Sequence, residues 1–412
     1  MPGFGKVQSF YFSLSLTLVV ASCGRSAPPP PRTEHVGDPT VDDEAIERLR
    51  SLGYLGTSGL PKKGAGRGAV ILDRDRMAPG LTLAVFSGAC QAMLLSPEGQ
   101  LVRSWMDQMC HRWDHAELLP DGGVVVVGER LDEDEAVDPI QTGRYLMRLT
   151  SRGEIVWRLE INAHHDVSIT PDGKLLTLVM TRRRVPEVDP VNDIADDELT
   201  LVSMDGAILE KLSLYDILAA ATPRYPFQKA GANDAGRSHL IDPFHCNAVR
   251  SASVPGLAAR HPMYGPGTVI VTSRHQDDLF VIDWAARKLV WHWGRGILSG
   301  PHDASVLSDG HVLVFDNGLA RGASRVLELD PLDPTALRQF APGGSKFFDR
   351  VMGSCQRLSN GNTLIVHSEG GSALELSPEG APVWTYEGTL ATPDGYRVKI
   401  IRMRRVAANA VH

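Results

Sequence analysis

One hairpin pattern of apolar and polar positions is written several times along most of this chain. Five stretches carry it: DHAELLPDGGVVVVGE (114–129), HDVSITPDGKLLTLVM (165–180), HCNAV through GPGTVIVTSR (245–274), HDASVLSDGHVLVFDN (302–317) and GSCQRLSNGNTLIVHS (353–368). Each has a polar entry, alternating residues, a turn and a β-branched return strand. Asp-Gly or Asn-Gly between alternating apolar residues predicts a two-residue hairpin turn, because glycine takes positive φ without steric cost. Most hairpins are followed by a second, polar-tipped pair such as LMRLTSRGEIVWRLE, LFVIDWAARKLVWHW or ALELSPEGAPVWTYE, with LVSMDGAILEKL a shorter version.

Each unit therefore holds about four strands and recurs roughly every 50 residues. A further unit, GRGAVILDRD…LTLAVFS…AMLLSPEGQLVRSW, opens the series without the full signature. The terminal YRVKIIRM is placed to supply a closing strand to that first unit. Six such units predict an all-β fold, a six-bladed β-propeller of four-stranded blades over residues 66–412, since radial closure hides most strand edges. A stacked sandwich is the alternative, and near-equal units at a fixed period favour the propeller.

The region before the repeats reads differently. Lys6 precedes an apolar run, Phe10 to Ala21, too short to span a bilayer and of signal-peptide length. Val20-Ala21-Ser22-Cys23 resembles a bacterial lipobox. Residues 1–22 are thus expected to be a lipoprotein signal peptide, and Cys23 the lipid-bearing residue. An ordinary secretory signal with an incidental cysteine is the alternative. Residues 23–65 continue as a Pro-rich linker with a short helix expected over Val41–Leu52. This order predicts an exported protein, held by Cys23 on the periplasmic side of a bacterial membrane. A net charge of −7 with scattered Lys and Arg argues against a nucleic-acid surface. Among the four later cysteines, Cys90 and Cys110 are closest in sequence and are the candidates for a disulfide, which export permits. No CxxC or HExxH metal spacing occurs.

Aligned on their turns, the hairpins place His165 and His302 at one position, seven residues before the turn Asp. His245 joins them by local pattern, each of the three standing four residues before Ile or Val. With 14 His in 412 residues, coincidence is a poor explanation. Seven residues after the turn Gly stand Arg274 and Asn317, and in an antiparallel hairpin these strand ends share one side. The expectation is a polar rim of His165, His245, Arg274, His302 and Asn317 around one mouth of the axis. Asp114 holds the histidine position of its own hairpin, with His115 one residue out of register. His164, His275 and His367 are nearby. Asp166 and Asp303 either orient imidazoles or cap local turns, and Cys246 reads as a small apolar residue.

Imidazoles beside a guanidinium suit an oxyanion, because Arg presents a planar fork to sulfate, phosphate or carboxylate. One neutral His can act as nucleophile while a second serves as acid or base near pH 7. A His-rich metal site is the competing chemistry, opposed by the fixed charge of Arg274.

The span DPFHCNAV…VIVTSRHQDDLFVIDWAARKLVWHWGRG…SGPHDASVLSDGHVLVFDNG…SRVLELD resembles the PAPS-independent bacterial arylsulfotransferases, most firmly over 242–330. The resemblance implies a six-bladed periplasmic propeller that moves a sulfuryl group from a phenolic sulfate donor to a phenolic acceptor, without nucleotide or metal cofactor. It makes His302 in GPHDA the nucleophile that becomes a sulfohistidine. His245 and Asn247 in FHCN and Arg274 in TSR would bind the sulfuryl oxygens, and His165 would be the further active-site histidine, with His164 its register alternative. The chain departs from the family in lacking room for a substantial N-terminal β-domain, in Pro301 before the histidine and in Cys246 within HCN. Donor, acceptor and oligomeric state are not written in the sequence. A non-catalytic propeller that binds an anion or a partner, and a metal-dependent hydrolase, are the alternative functions.

Overall fold

The computed structural model describes residues 64–87, 89–130, 143–228, 240–341, 347–392 and 395–407. The expected signal peptide, Cys23 and the helix expected over Val41–Leu52 lie outside the described residues. Among the described residues no helix is long and apolar enough to cross a membrane.

Six sheets form the blades of a β-propeller, antiparallel apart from the short Leu240–Ile241, which pairs in parallel with Asp193–Val202 of the third. Blade 1 is built from Ile400–Val406, Leu81–Phe86, Gln91–Leu95 and Leu101–Met106, and blade 2 from Cys110–Leu118, Val124–Arg130, Arg144–Leu149 and Ile155–Leu159. Blade 3 comprises Ala163–Ile169, Leu175–Arg183, Asp193–Val202 and Ile208–Ser213, and blade 4 comprises Cys246–Ser251, Thr268–Ser273, Asp278–Asp283 and Lys288–Trp293. His302–Val306, Val312–Asp316, Arg325–Asp330 and Asp333–Phe340 make blade 5, and Ser354–Arg357, Thr363–His367, Ser372–Leu376 and Pro382–Glu387 make blade 6. The first strand named in each blade is its innermost. Each inner strand touches the next around the ring, which closes from blade 6 through Ile400–Val406 to Cys110–Leu118.

Burial explains the two kinds of hairpin seen in the sequence. In blade 2, Val124 to Val127 are fully buried between neighbouring blades, while Ile155 and Val156 of the outer strand are exposed. The first hairpin of a unit is therefore apolar on both faces and the second only on one. Between blades 3 and 4, Leu176, Leu178 and Leu199 pack on Val249, Val271 and Phe280. Burying one such Phe or Leu contributes roughly 1.5–3 kcal/mol, so the blade interfaces hold the ring together.

The structure differs from the sequence reading in three places. Gly68–Leu72 does not open blade 1; it pairs with Pro382–Glu387 as a fifth, outer strand of blade 6. As expected of the terminal YRVKIIRM, the C-terminal strand Ile400–Val406 closes blade 1, where it takes the inner place and pairs with Leu81–Phe86. The Asp-Gly turns are three-residue connections, since Leu119 N–H bonds to Gly123 O and Gly122 N–H to Leu119 O. Only the glycine of each pair has positive φ, 76° at Gly122 and 92° at Gly310, whereas a two-residue type I′ turn needs two such residues. A helix, α1 (Leu214–Ala219), follows blade 3, capped by the Ser213 hydroxyl accepting from the Asp216 N–H. It buries Leu214, Ile217 and Leu218 in the interface of blades 3 and 4.

Cys90, in the turn before Gln91–Leu95, is joined by a disulfide to Cys110 at the start of blade 2, with Cα atoms 6.1 Å apart. Cys246 and Cys355 are free and buried.

Candidate active site

The inner strands of blades 2 to 5 all lose their regular pairing at the position aligned on histidine. Register shifts fall at Trp113/His115, opposite Asp166 in blade 3, at Cys246/Ala248 and at His302/Ser305. In three of them a residue other than glycine lies in the left-handed region: His165 (φ 59°), His245 (45°) and Asp303 (55°). Each costs on the order of 1 kcal/mol or more, and such strain persists where surrounding contacts impose it. A bulge re-aims the side chain beside it, and here it directs histidines out of the regular alternation.

His302 is 7% exposed. Its Nδ1 lies 2.7 Å from Asn317 Oδ1 and 3.1 Å from Gly300 O. The Asn317 amide nitrogen is spent on two carbonyls, Asp349 O at 2.8 Å and Met352 O at 2.6 Å, so its oxygen must accept. His302 therefore carries its proton on Nδ1 and its lone pair on Nε2, which has no hydrogen-bond partner among the described residues. Burial, and then the charge of Arg274, push its pKa down to about 3, against the opposing bonds to Asn317 and Gly300. The ring is neutral at physiological pH. Two neighbours fix the turn that presents it: Asp277 Oδ1 accepts from Gly300 N–H at 2.6 Å, and the Asn247 amide donates to Pro301 O at 2.8 Å.

Blade 4 supplies a linked set. His245 Nδ1 lies 2.6 Å from Asp242 Oδ2, and the other oxygen of the same carboxylate accepts the His245 backbone N–H at 2.7 Å. His275 Nδ1 donates to the Asp242 carbonyl at 2.7 Å, which leaves Nε2 to accept from Arg274 Nη1 at 2.9 Å. The His245 and His275 rings lie 4.6 Å apart between centroids. Burial lowers the pKa of His245 while Asp242 opposes the fall. Burial raises that of Asp242, but His245 and His275 outweigh it and hold the carboxyl well below its usual range.

In blade 3 the two adjacent histidines act in series. His165 stands edge-on to His245, with centroids 4.9 Å apart, and its Nδ1 is 2.8 Å from Nδ1 of His164. His164 is buried behind it, with Nε2 2.9 Å from Asp197 Oδ1, off the line of a straight hydrogen bond. A carboxylate at that distance requires a proton on His164 Nε2, so His164 Nδ1 accepts and His165 Nδ1 donates. Burial first, then His245, depress the pKa of His165 far below normal. His165, His245 and His302 thus share one form: Nδ1 anchored, Nε2 without a partner among the described residues. Outer-shell anchoring of this kind fixes tautomer and ring orientation.

Other expectations resolve differently. Asp114 occupies the histidine position of blade 2 and accepts the His165 backbone N–H at 3.2 Å. His115 turns into the channel, 3.2 Å from Glu117 and 3.6 Å from Asp166. Asp166 and Asp303 neither orient the imidazoles nor cap local turns. They reach forward to the next blades, accepting from Val249 N and Cys355 N at 2.9 Å each, and pair with Arg402, Arg250 and Arg404 in the channel. His367 lies 3.1 Å from Asp349 on blade 6. Cys246 is fully buried, and burial pushes its thiol well above the usual range. Sequence reasoning missed Asp242, Asp197 and the role of His275. Asp242 stands in the DPFH segment, three residues before His245, and that spacing was the available signal.

Among the described residues, Asp242, His245 and His275 bring one ligand atom each within 4.8 Å of one another, as do Asp309, His311 and Glu328 at an outer site. In the first group His245 Nδ1 is engaged with the Asp242 carboxylate, His275 Nδ1 with the Asp242 carbonyl, and the Arg274 cation touches His275 Nε2. The mouth as a whole, with a guanidinium and three neutral imidazoles, suits a tetrahedral oxyanion better than a divalent cation.

Fold and site together define a six-bladed β-propeller with histidines and an arginine gathered at one mouth. The sequence model of the arylsulfotransferase (ASST) family matches residues 143–389, more than half of the chain, and the protein belongs to that family. No curated protein matches it. Among solved structures it is similar to a protein of unknown function from Bacteroides caccae, with 14% identity over 79% of this chain and 98% of that one and a TM-score of 0.51. It also resembles TolB from Acinetobacter baumannii, with 12% identity, 79% and 66% coverage and a TM-score of 0.46. A streptogramin B lyase structure gives 9% identity, 84% and 96% coverage and a TM-score of 0.45.

Proposed function

We propose that this protein transfers a sulfuryl group from a phenolic sulfate ester to a phenolic acceptor through a sulfohistidine at His302, without PAPS. The observation that carries the reading is the tautomer of His302: Asn317 and Gly300 hold the proton on Nδ1, so a neutral Nε2 lone pair is available. That lone pair forms the N–S bond as the ester S–O bond breaks and its electron pair leaves on the phenolic oxygen. His245, neutral at rest, takes up a proton from solvent or from the previous acceptor, is stabilised as imidazolium by Asp242, and gives that proton to the departing phenolate. In the second half, neutral His245 removes the acceptor's phenolic proton and the sulfuryl group passes from nitrogen to oxygen. Arg274, oriented by His275, and the free N–H of the Asn247 amide are assigned to the sulfuryl oxygens. The protein's contribution is positioning and fixed charge, as in phosphoryl transfer.

Incubation with 4-nitrophenyl sulfate and phenol tests this. Nitrophenol release with formation of phenyl sulfate, unaffected by chelator and lost in His302→Ala, is expected. Release that a chelator stops would favour a metal-dependent hydrolase built on Asp242, His245 and His275. Tight anion binding without turnover of any aryl sulfate would favour a binding module.

A further inference from the structure

Blade 2 brings a second guanidinium pair to the same mouth, on the side of His165 away from His302. The connection can be followed bond by bond. The His165 backbone N–H donates to Asp114 Oδ2 at 3.2 Å, and Asp114 Oδ1 lies 3.1 Å from Arg112 Nε. Arg112 Nε is also 3.0 Å from Glu129 Oε2, and Glu129 is the register partner of Arg144. Asp114 and Glu129 thus stand closer to Arg112, as ion pairs, than to Arg144. Arg144 is left 3.9 Å from Glu129, too far for a hydrogen bond, and the one acceptor its guanidinium reaches among the described residues is the thioether of Met180, at 3.6 Å. A thioether sulfur is a weak acceptor. The Arg144 side chain is 12% exposed. Burial and then Arg112 act against its charge and outweigh the support of Glu129, Asp114 and Asp242, and the charges of Arg112 and Arg144 are felt at His165. The Arg144 Nε is buried without a hydrogen-bond partner among the described residues, and a buried guanidinium donor left unmet is costly unless an acceptor arrives.

We propose that Arg144 recognises an anionic substituent on the aromatic substrate, a carboxylate or a second sulfate, held across His165 from the reacting oxygen at His302. The inference rests on the sulfuryl-transfer reading for the word substrate, but the binding itself is measurable without turnover. Both phenols of a ping-pong cycle pass through one mouth, so one site serves donor and acceptor. The fork of Arg144 would receive the two oxygens of a carboxylate, a geometry a lysine ammonium cannot reproduce.

The test is calorimetric binding of three probes to the full chain: 4-hydroxybenzoate, its uncharged methyl ester, and phenol. Wild type is expected to prefer the carboxylate over the ester by roughly tenfold, the scale of a charge-assisted contact. In Arg144→Gln that ratio should collapse toward unity, and Arg144→Lys should restore part of it. Equal affinity of wild type for acid and ester overturns the proposal without any variant being needed, and so does a ratio that survives in Arg144→Gln. A wild type that shows the Arg144-dependent preference but never transfers sulfuryl leaves this inference standing and removes the reaction. Transfer with no carboxylate preference does the reverse.

Discussion

At the scale of single residues, the chemistry of the mouth depends on where the protons of a few imidazoles sit. Asn317 is spent on two backbone carbonyls, and that commitment decides the tautomer of His302. Asn317→Ala should lower kcat by roughly 10–100-fold, the usual cost of removing an orienting outer-shell partner, with little change in KM; steady-state kinetics with 4-nitrophenyl sulfate checks it. The buried neutral histidines also couple folding to pH. His302 has its pKa lowered from 6.5 to about 3. Between those values the unfolded chain binds the proton that the folded one refuses, so acidification favours unfolding. Stability is therefore expected to fall as pH drops below about 6.5, with the His302 contribution complete near pH 3. Thermal melts across that window should show it, and His302→Asn should flatten the slope. A melting temperature that rises on acidification in this window would contradict the burial of a neutral ring.

At the scale of elements, the bulges explain what could and could not be read from the sequence. The spacing of His165 and His302 from their turns, and the local pattern around His245, brought them to one end of the ring, because hairpin geometry carries that information. Facing did not follow from spacing, since a period of two holds only along an unbroken strand. The shift at Trp113/His115 sends Asp114 to His165 and His115 into the channel, and a strict alternation could not have sorted the two. Asp166 and Asp303 were misread for a related reason: their partners are backbone N–H groups on the next blade, more than fifty residues away. Asp242 lay within the quoted motif, yet its bond to His245 depends on a turn that the pattern of apolar residues does not describe. The Cys90–Cys110 bridge ties blade 1 to blade 2 across a separation of 20 residues. Closing a loop of that length contributes about 3 kcal/mol in the chain-entropy description. Reduction, or Cys90→Ser with Cys110→Ser, should shift the urea midpoint accordingly while leaving the far-UV spectrum of the folded protein unchanged.

At the scale of the whole molecule, the ring works by contributing one or two groups per blade to a shared mouth. Blade 5 brings the neutral imidazole of His302, the proposed nucleophile, blade 4 an Asp-supported imidazole and a His-oriented guanidinium, and blade 3 a histidine pair backed by Asp197. Closure depends on Ile400–Val406, the C-terminal strand that takes the inner place of blade 1. A chain ending before Ile400 leaves Leu81–Phe86 with an unpaired inner edge and removes Arg402 and Arg404 from Asp166 and Asp303. Such a chain is expected to lose cooperative unfolding and to aggregate, which light scattering during a urea titration would report; a monomeric, cooperatively unfolding truncation would show that the ring closes by other means. The sequence made the number of blades legible because five of them repeat the same apolar hairpin and the first keeps its spacing, whereas the fifth strand on blade 6 and helix α1 lie outside the repeat.

The most direct test of the central claim is the intact mass of the protein after brief exposure to an aryl sulfate without acceptor, followed by peptide mapping. The account predicts the added mass of one SO3 on the peptide containing His302, discharged by phenol and absent from His302→Ala. Turnover of the aryl sulfate with no such adduct after rapid quenching, or an adduct on another residue, would contradict it.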